Sequence, residues 1–241
     1  MSGQPIDIIY HIDCGGEHRY TIPIRIDPAT QERTRGTESA PPDWARIDRH
    51  ACPDCPLAAG QTHCLAALAI CDLVDMFGHM LSYSEAIVRV EMKQRTIETR
   101  TTMQRVISSL AGLFLATSGC PSLAFLKPMA RFHLPFASRE ETLFRSVSSY
   151  MLLQYFLHKE GKPCDLELKQ LQARYVQLSR VNHSLAHRLR GLAEGDANIN
   201  AVVLLDLFAQ DFPNAIDKGL EELETLCRPA LDILEQGGAP L

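Results

Sequence analysis

The chain has 241 residues and a mass of 26.9 kDa, enough for one large domain or two small ones and for a sizeable core. Apolar residues make up 46% and charged residues 22%, ordinary globular usage that argues against disorder. With 24 basic against 29 acidic residues the net charge is −5, so the basic excess that attracts nucleic acid or anionic lipid is missing.

The N-terminus, Met1 to Pro5, is polar and runs straight into a strand-like segment. It has no secretory-leader pattern, and a cytoplasmic protein is expected. Ile6, Ile8, Tyr10 and Ile12 alternate with polar residues, and Tyr20, Ile22, Ile24 and Ile26 do the same. The turn signal Cys14-Gly15-Gly16-Glu17 between them predicts a β-hairpin. Pro23 cannot donate to a ladder, which puts its strand at an edge or a bulge. Residues 27–43 read as a polar loop, and Trp44 to Asp48 as a short extended segment.

A helix is predicted after Cys64, with Ala66, Ala69, Ile70, Leu73, Phe77 and Met80 on one face. Val88, Val90 and Met92 then alternate with charged residues, and 96–102 return as a partner strand. Beyond Met103 the pattern is helical throughout. Val106 to Leu126 runs without a charge and is long enough to span a bilayer, but its Ser, Thr, Gly and Pro residues favour a buried helix ending near Thr117. Ser118-Gly119-Cys120-Pro121 breaks it, and a short helix over 122–132 follows. Ser138-Arg139-Glu140-Glu141 is a capping box opening a long apolar helix to about Lys159. Another helix carries Leu171, Tyr175, Leu178, Leu185, Leu189 and Leu192. The last region, 198–235, is expected to break at Pro213. The fold class is therefore α+β. A ββαββ domain over 1–102, with a Cys-rich knuckle at 50–64, leads into a helical domain over 103–241.

The chemistry concentrates in His50-Ala51-Cys52-Pro53-Asp54-Cys55-Pro56 and Cys64. A Cys-x-x-Cys turn aims two thiolates at one ion, and zinc takes four such ligands from Cys or His. Cys64 opens the predicted helix, where unpaired N–H groups favour a thiolate. His50, His63 and Cys120 are the candidates for the fourth ligand. Zinc is the expected metal. A [4Fe-4S] cluster on Cys52, Cys55, Cys64 and Cys120 is the alternative, since three of these precede a proline. A thiol–disulfide pair lacks the βαβ context it needs.

Arg131, His133, Glu141 and Arg145 flank the Pro135 break and are candidates for acid–base or anion-binding work. The plainer reading gives Glu141 to its own helix cap and leaves the arginines solvated. Asn182 interrupts an apolar stripe. Asp206 interrupts another and calls for an Asp206–Arg pair inside the bundle, or else lines a pocket as a further catalytic candidate. His183 and His187 share a helix face without the acidic partner of a zinc-protease motif, and Arg180, Arg188 and Arg190 around them suggest a solvated face.

The segments 50–57, 116–121, 131–136 and 196–201 together resemble an uncharacterised family of bacterial proteins, over most of the chain. The resemblance implies a bacterial, cytoplasmic setting and carries over no activity or cofactor. Two functional readings stand. One is a non-catalytic protein with a structural zinc, whose helical part binds a protein or small-molecule partner and which self-associates or not. The other is an iron–sulfur or redox enzyme in which Cys120 belongs to the metal site and His133 and Glu141 move protons.

Overall fold

A computed structural model describes residues 4–16, 18–34, 40–190, 192 and 196–236, without the side chains of 204, 207, 208 and 211–219. Strands β1 (Ile6–Asp13), β2 (Arg19–Ile26), β3 (Glu85–Met92) and β4 (Arg95–Thr102) form one antiparallel sheet in the order β2-β1-β3-β4. Six α-helices are described: α1 (Leu65–Phe77), α2 (Met103–Ala116), α3 (Lys127–Arg131), α4 (Arg139–Lys159), α5 (Lys169–Leu189) and α6 (Ala197–Gln236). Short 3-10 segments cover Asp43–Ala45 and Pro121–Leu126. The α+β class stands.

The alternation of the strands decides which face of the sheet is covered. Ile8, Tyr10, Ile12, Ile22, Ile24, Ile26, Val88 and Val90 are buried, while Thr21, Pro23, Arg25 and Arg89 face out. Pro23 lies opposite Ile9 on β2, which is an edge strand, as a residue without an N–H requires. The hairpin turn uses Gly15 and Gly16 at positive φ, and Glu17 lies outside the described residues. Phe77 of α1 meets Tyr20 edge-on at 5.0 Å and so ties the helix layer to the sheet.

Helix α2 is the centre of the molecule. Ten of its side chains are buried, and all of these but Ser108 belong to one hydrophobic cluster that runs from the sheet through α1 to α5 and α6. Among the described residues no single helix is long and apolar enough to cross a membrane. The stretch Met103–Ala116 plus Pro121–Arg131 passes only as a pair bent by 111°. The bend falls at Gly119 (φ +76°), where an added Cβ would also stand 3.4 Å from the Glu32 carboxyl group.

Several local expectations change. Residues 43–45 form a 3-10 turn, and Arg46 pairs with His63 as an isolated bridge, because the following loop bends back on itself. Helix α6 runs unbroken past position 213 for 40 residues, about 60 Å at the usual rise. A helix can keep an internal proline when its other hydrogen bonds and its packing hold it. Leu192 lies beyond the end of α5 and is exposed. Helix α4 buries only Leu143, Ser146, Tyr150 and Gln154 and leaves Phe144, Leu152, Tyr155 and Phe156 exposed.

The capping box at α4 is present. The Ser138 hydroxyl accepts from the Glu141 N–H at 3.1 Å, and Glu141 Oε2 accepts from the Ser138 N–H at 2.7 Å. Ser138→Ala is expected to cost about 1 kcal/mol in urea denaturation. A loss below about 0.3 kcal/mol would mean that the cap adds nothing to stability in solution.

Candidate functional site

Two regions gather chemistry, and α5 runs past both. The first is the cysteine loop. Asp54, between Cys52 and Cys55, takes the left-handed conformation (φ 57°), a geometry Asp tolerates better than most residues. That tight turn sets the Cys55 thiol beside the Cys52 thiol. Cys64 is the N-cap of α1, and its N–H donates to the Ala45 carbonyl at 2.8 Å. Cys120, from the break after α2, enters the same field. Burial and the neighbouring Cys55, Cys64 and Cys120 push the Cys52 thiol up to about 12. Burial likewise raises the Cys120 thiol, while N–H bonds from Ser122 and Leu123 to its sulfur pull the other way. All eight cysteines are free of disulfides.

The loop is held by Arg188 of α5. This guanidinium, 4% exposed, donates to the carbonyls of Trp44 at 2.9 Å, His50 at 3.3 Å and Ile47 at 3.5 Å, and to that of Arg46. It also lies within electrostatic reach of Cys64, Cys52 and Cys55. The solvated face expected around Arg188 is therefore corrected. His183, His187 and Arg190 are exposed, but position 188 follows Val181 by seven and Leu185 by three and falls on the buried stripe. A second cleft of about 480 Å³, bounded by Asp54, Pro56, Pro121 and α5, flanks the loop.

Among the described residues no group of three or more His, Cys, Asp or Glu side chains is in an arrangement able to hold a metal ion. The cysteine-bearing turn is present, without a set of ligands already arranged around one ion. Protonated thiols are small apolar groups, and Cys52, Cys64 and Cys120 pack as part of the core. His50 is not with the thiols; its ring stacks on His187 at 5.6 Å between centroids. His63 pairs with Thr62 at 2.9 Å.

The second region is a cavity of about 850 Å³ between α2, α3, α4 and α5. Its wall is mostly apolar. At one end the Tyr10 hydroxyl lies 2.9 Å from Ser109 Oγ and 2.6 Å from His133 Nε2, a chain linking the sheet to the break before α4. Burial, reinforced by the Arg145 cation, holds His133 down to about 3, so the ring is neutral at physiological pH. Arg145 donates to the Met129 and Phe132 carbonyls at 2.8 and 3.0 Å. Tyr175 donates to Ser146 Oγ at 2.8 Å.

Of the acid–base candidates, His133 and Arg145 line this cavity, whereas Arg131 and Glu141 do not, and neither does Asp206. Glu141 serves its cap. The expected Asp206–Arg pair is absent among the described residues. Asp206 instead accepts from Ser179 at 2.8 Å and Gln210 at 2.6 Å, and His183 stands 3.4 Å away. Tyr10, Ser109 and Arg188 escaped sequence reasoning, because two are strand and helix core positions and the third sits among exposed cations.

These features define an α+β protein with a cysteine-bearing loop braced by α5 and a cavity among its helices. The chain belongs to the family described as Domain of unknown function (DUF6901), whose model matches residues 8–228. No curated protein and no solved structure matches it.

Proposed function

We propose a metal-binding protein whose centre is built from Cys52, Cys55, Cys64 and Cys120. The observation that carries this reading is the arrival of Cys120, which packs in the same core cluster as Cys52 and Cys64 and within the field of Cys55 and Cys64, while Cys52 feels all three of the others. A bound cation would turn the four thiols into thiolates, those of Cys52 and Cys120 against their raised pKa, with Arg188 and the N–H groups at Cys120 offsetting the charge. Zinc would need the sulfurs drawn to about 3.8 Å from one another, the edge of a tetrahedron with 2.3 Å bonds. It would be structural, pinning the loop and the α2 break to α1. An intracellular setting, which keeps thiols reduced, suits either metal.

A [4Fe-4S] cluster is the second reading. One observation favours it: Cys52 feels the other three thiols, while among the described residues no three side chains are arranged to share a single ion. A cluster fills a wider cage and would make this a redox protein.

Elemental analysis with an absorption spectrum, on protein purified without oxygen, separates the two. About one colourless zinc per chain supports the first reading; iron with sulfide and a brown band supports the second. In either case Cys55→Ser and Cys120→Ser lower both metal content and melting temperature, whereas Cys164→Ser, on an exposed residue, changes neither. Protein free of metal, with Cys55→Ser melting like wild type, would sink both readings.

A further inference from the structure

We propose that the helical cavity binds an apolar small molecule carrying an amide-like edge, one hydrogen-bond donor beside one acceptor, and that Asn182 reads that edge. Asn182 is 1% exposed and lines the cavity. Neither its Oδ1 nor its Nδ2 has a hydrogen-bond partner among the described residues. Native proteins rarely leave both ends of a buried amide unpaired, because each lost bond to water costs free energy. The other polar groups at this cavity set the contrast: Tyr10, His133, Tyr175 and Arg145 each have a partner in the fold.

The chemistry of the ligand follows from the pair of orphaned atoms. A carboxylate would satisfy Nδ2 but set negative charge against Oδ1. A single hydroxyl pairs with one atom well and the other poorly. A primary amide or lactam satisfies both, as amide pairs do. Leu113, Leu126, Met129, Leu178 and Leu205 line the cavity, which asks for an apolar body. The charged lining residues are Arg105, Arg139 and Arg145, the first two exposed, with no carboxylate in the lining, in a chain whose net charge is −5. A negative group at the outer end of the ligand is favoured there. The class is thus an amphipathic molecule with a buried amide, an apolar spacer and an anionic outer end.

The test uses three probes of one length on the full chain: 8-amino-8-oxooctanoate, octanamide and octanoate, titrated by calorimetry. The expected order of affinity is that one, with octanoate at least tenfold weaker than 8-amino-8-oxooctanoate. Asn182→Leu should weaken the two amides at least tenfold and leave octanoate within threefold. The same variant should melt at or above the wild-type temperature, since it removes an unpaired polar group from an apolar site. That combination separates a ligand-reading residue from a structural one. A lowered melting temperature would show that Asn182 already has a partner in the fold or a fixed water, and would overturn the proposal. So would three probes that do not bind the wild type, or amides that bind Asn182→Leu equally well. The cysteine centre uses other residues, and loss of either site leaves the other testable.

Discussion

Replacing Arg188 by Met is expected to destabilise the protein by about 3–5 kcal/mol, the largest effect of any single substitution proposed for it. Methionine keeps the apolar stem and removes the guanidinium. Four carbonyls, of Trp44, Arg46, Ile47 and His50, then lose a charged donor in a site where water cannot replace it. They belong to consecutive turns of one loop, so the loss falls on a single unit, the segment that leads into Cys52. Chemical denaturation measures the effect. Arg190→Met, two residues on and exposed, is the control and should stay within about 0.5 kcal/mol of wild type. If the proposed metal centre is present, the Arg188 variant should also retain less metal, because the loop that carries Cys52 and Cys55 is no longer fixed to α5. A loss below about 1 kcal/mol would mean that solvent reaches these carbonyls and that the brace is redundant.

Acidification between pH 7 and pH 5 should weaken the fold through His133. Its folded pKa is held down to about 3, first by burial and then by Arg145, against about 6.5 in the unfolded chain. In that interval the unfolded state binds the proton and the folded state does not. Stability is therefore complete above the unfolded value and falls with pH until the folded value is reached, at about 1.4 kcal/mol per pH unit. By pH 5 the loss attributable to this ring is about 2 kcal/mol. Carboxylates with lowered pKa, such as Asp165 and Asp196, lose their stabilising effect only below the unfolded range near 4, so the window from 7 to 5 isolates the histidine. His133→Gln offers a non-titrating partner to the Tyr10 hydroxyl and should show a flatter pH dependence, by about 2 kcal/mol at pH 5. Urea midpoints at the two pH values decide it; parallel curves for variant and wild type would remove His133 as the cause.

Local pattern carried much of this molecule. Alternation over residues 6–12 and 20–26 placed Tyr10 and six isoleucines on the sheet's covered side and Pro23 on its edge. Helical spacing found α1, α2 and α5, and the Ser138–Glu141 box found the start of α4 to the residue. These signals are legible because each depends on neighbours a few positions away in the chain. The Cys-x-x-Cys turn and Cys64 belong to the same class. Pattern failed where burial cannot be inferred from residue type. Helix α4 is rich in apolar residues yet shows many of them to solvent, and Arg188 is charged yet buried.

What the sequence determined by itself was the α+β class, the strand faces, the helix starts and the presence of clustered cysteines. Tertiary structure alone decided which distant groups meet. It put Cys120 rather than His50 beside the knuckle, joined Tyr10 to Ser109 and His133 across the sheet–helix boundary, gave Arg188 its four carbonyls and left Asn182 facing a cavity. The physical reason is range. Periodicity and capping come from hydrogen bonds and sterics within a few residues, whereas these meetings depend on how helices and loops far apart in the chain fill one shared core.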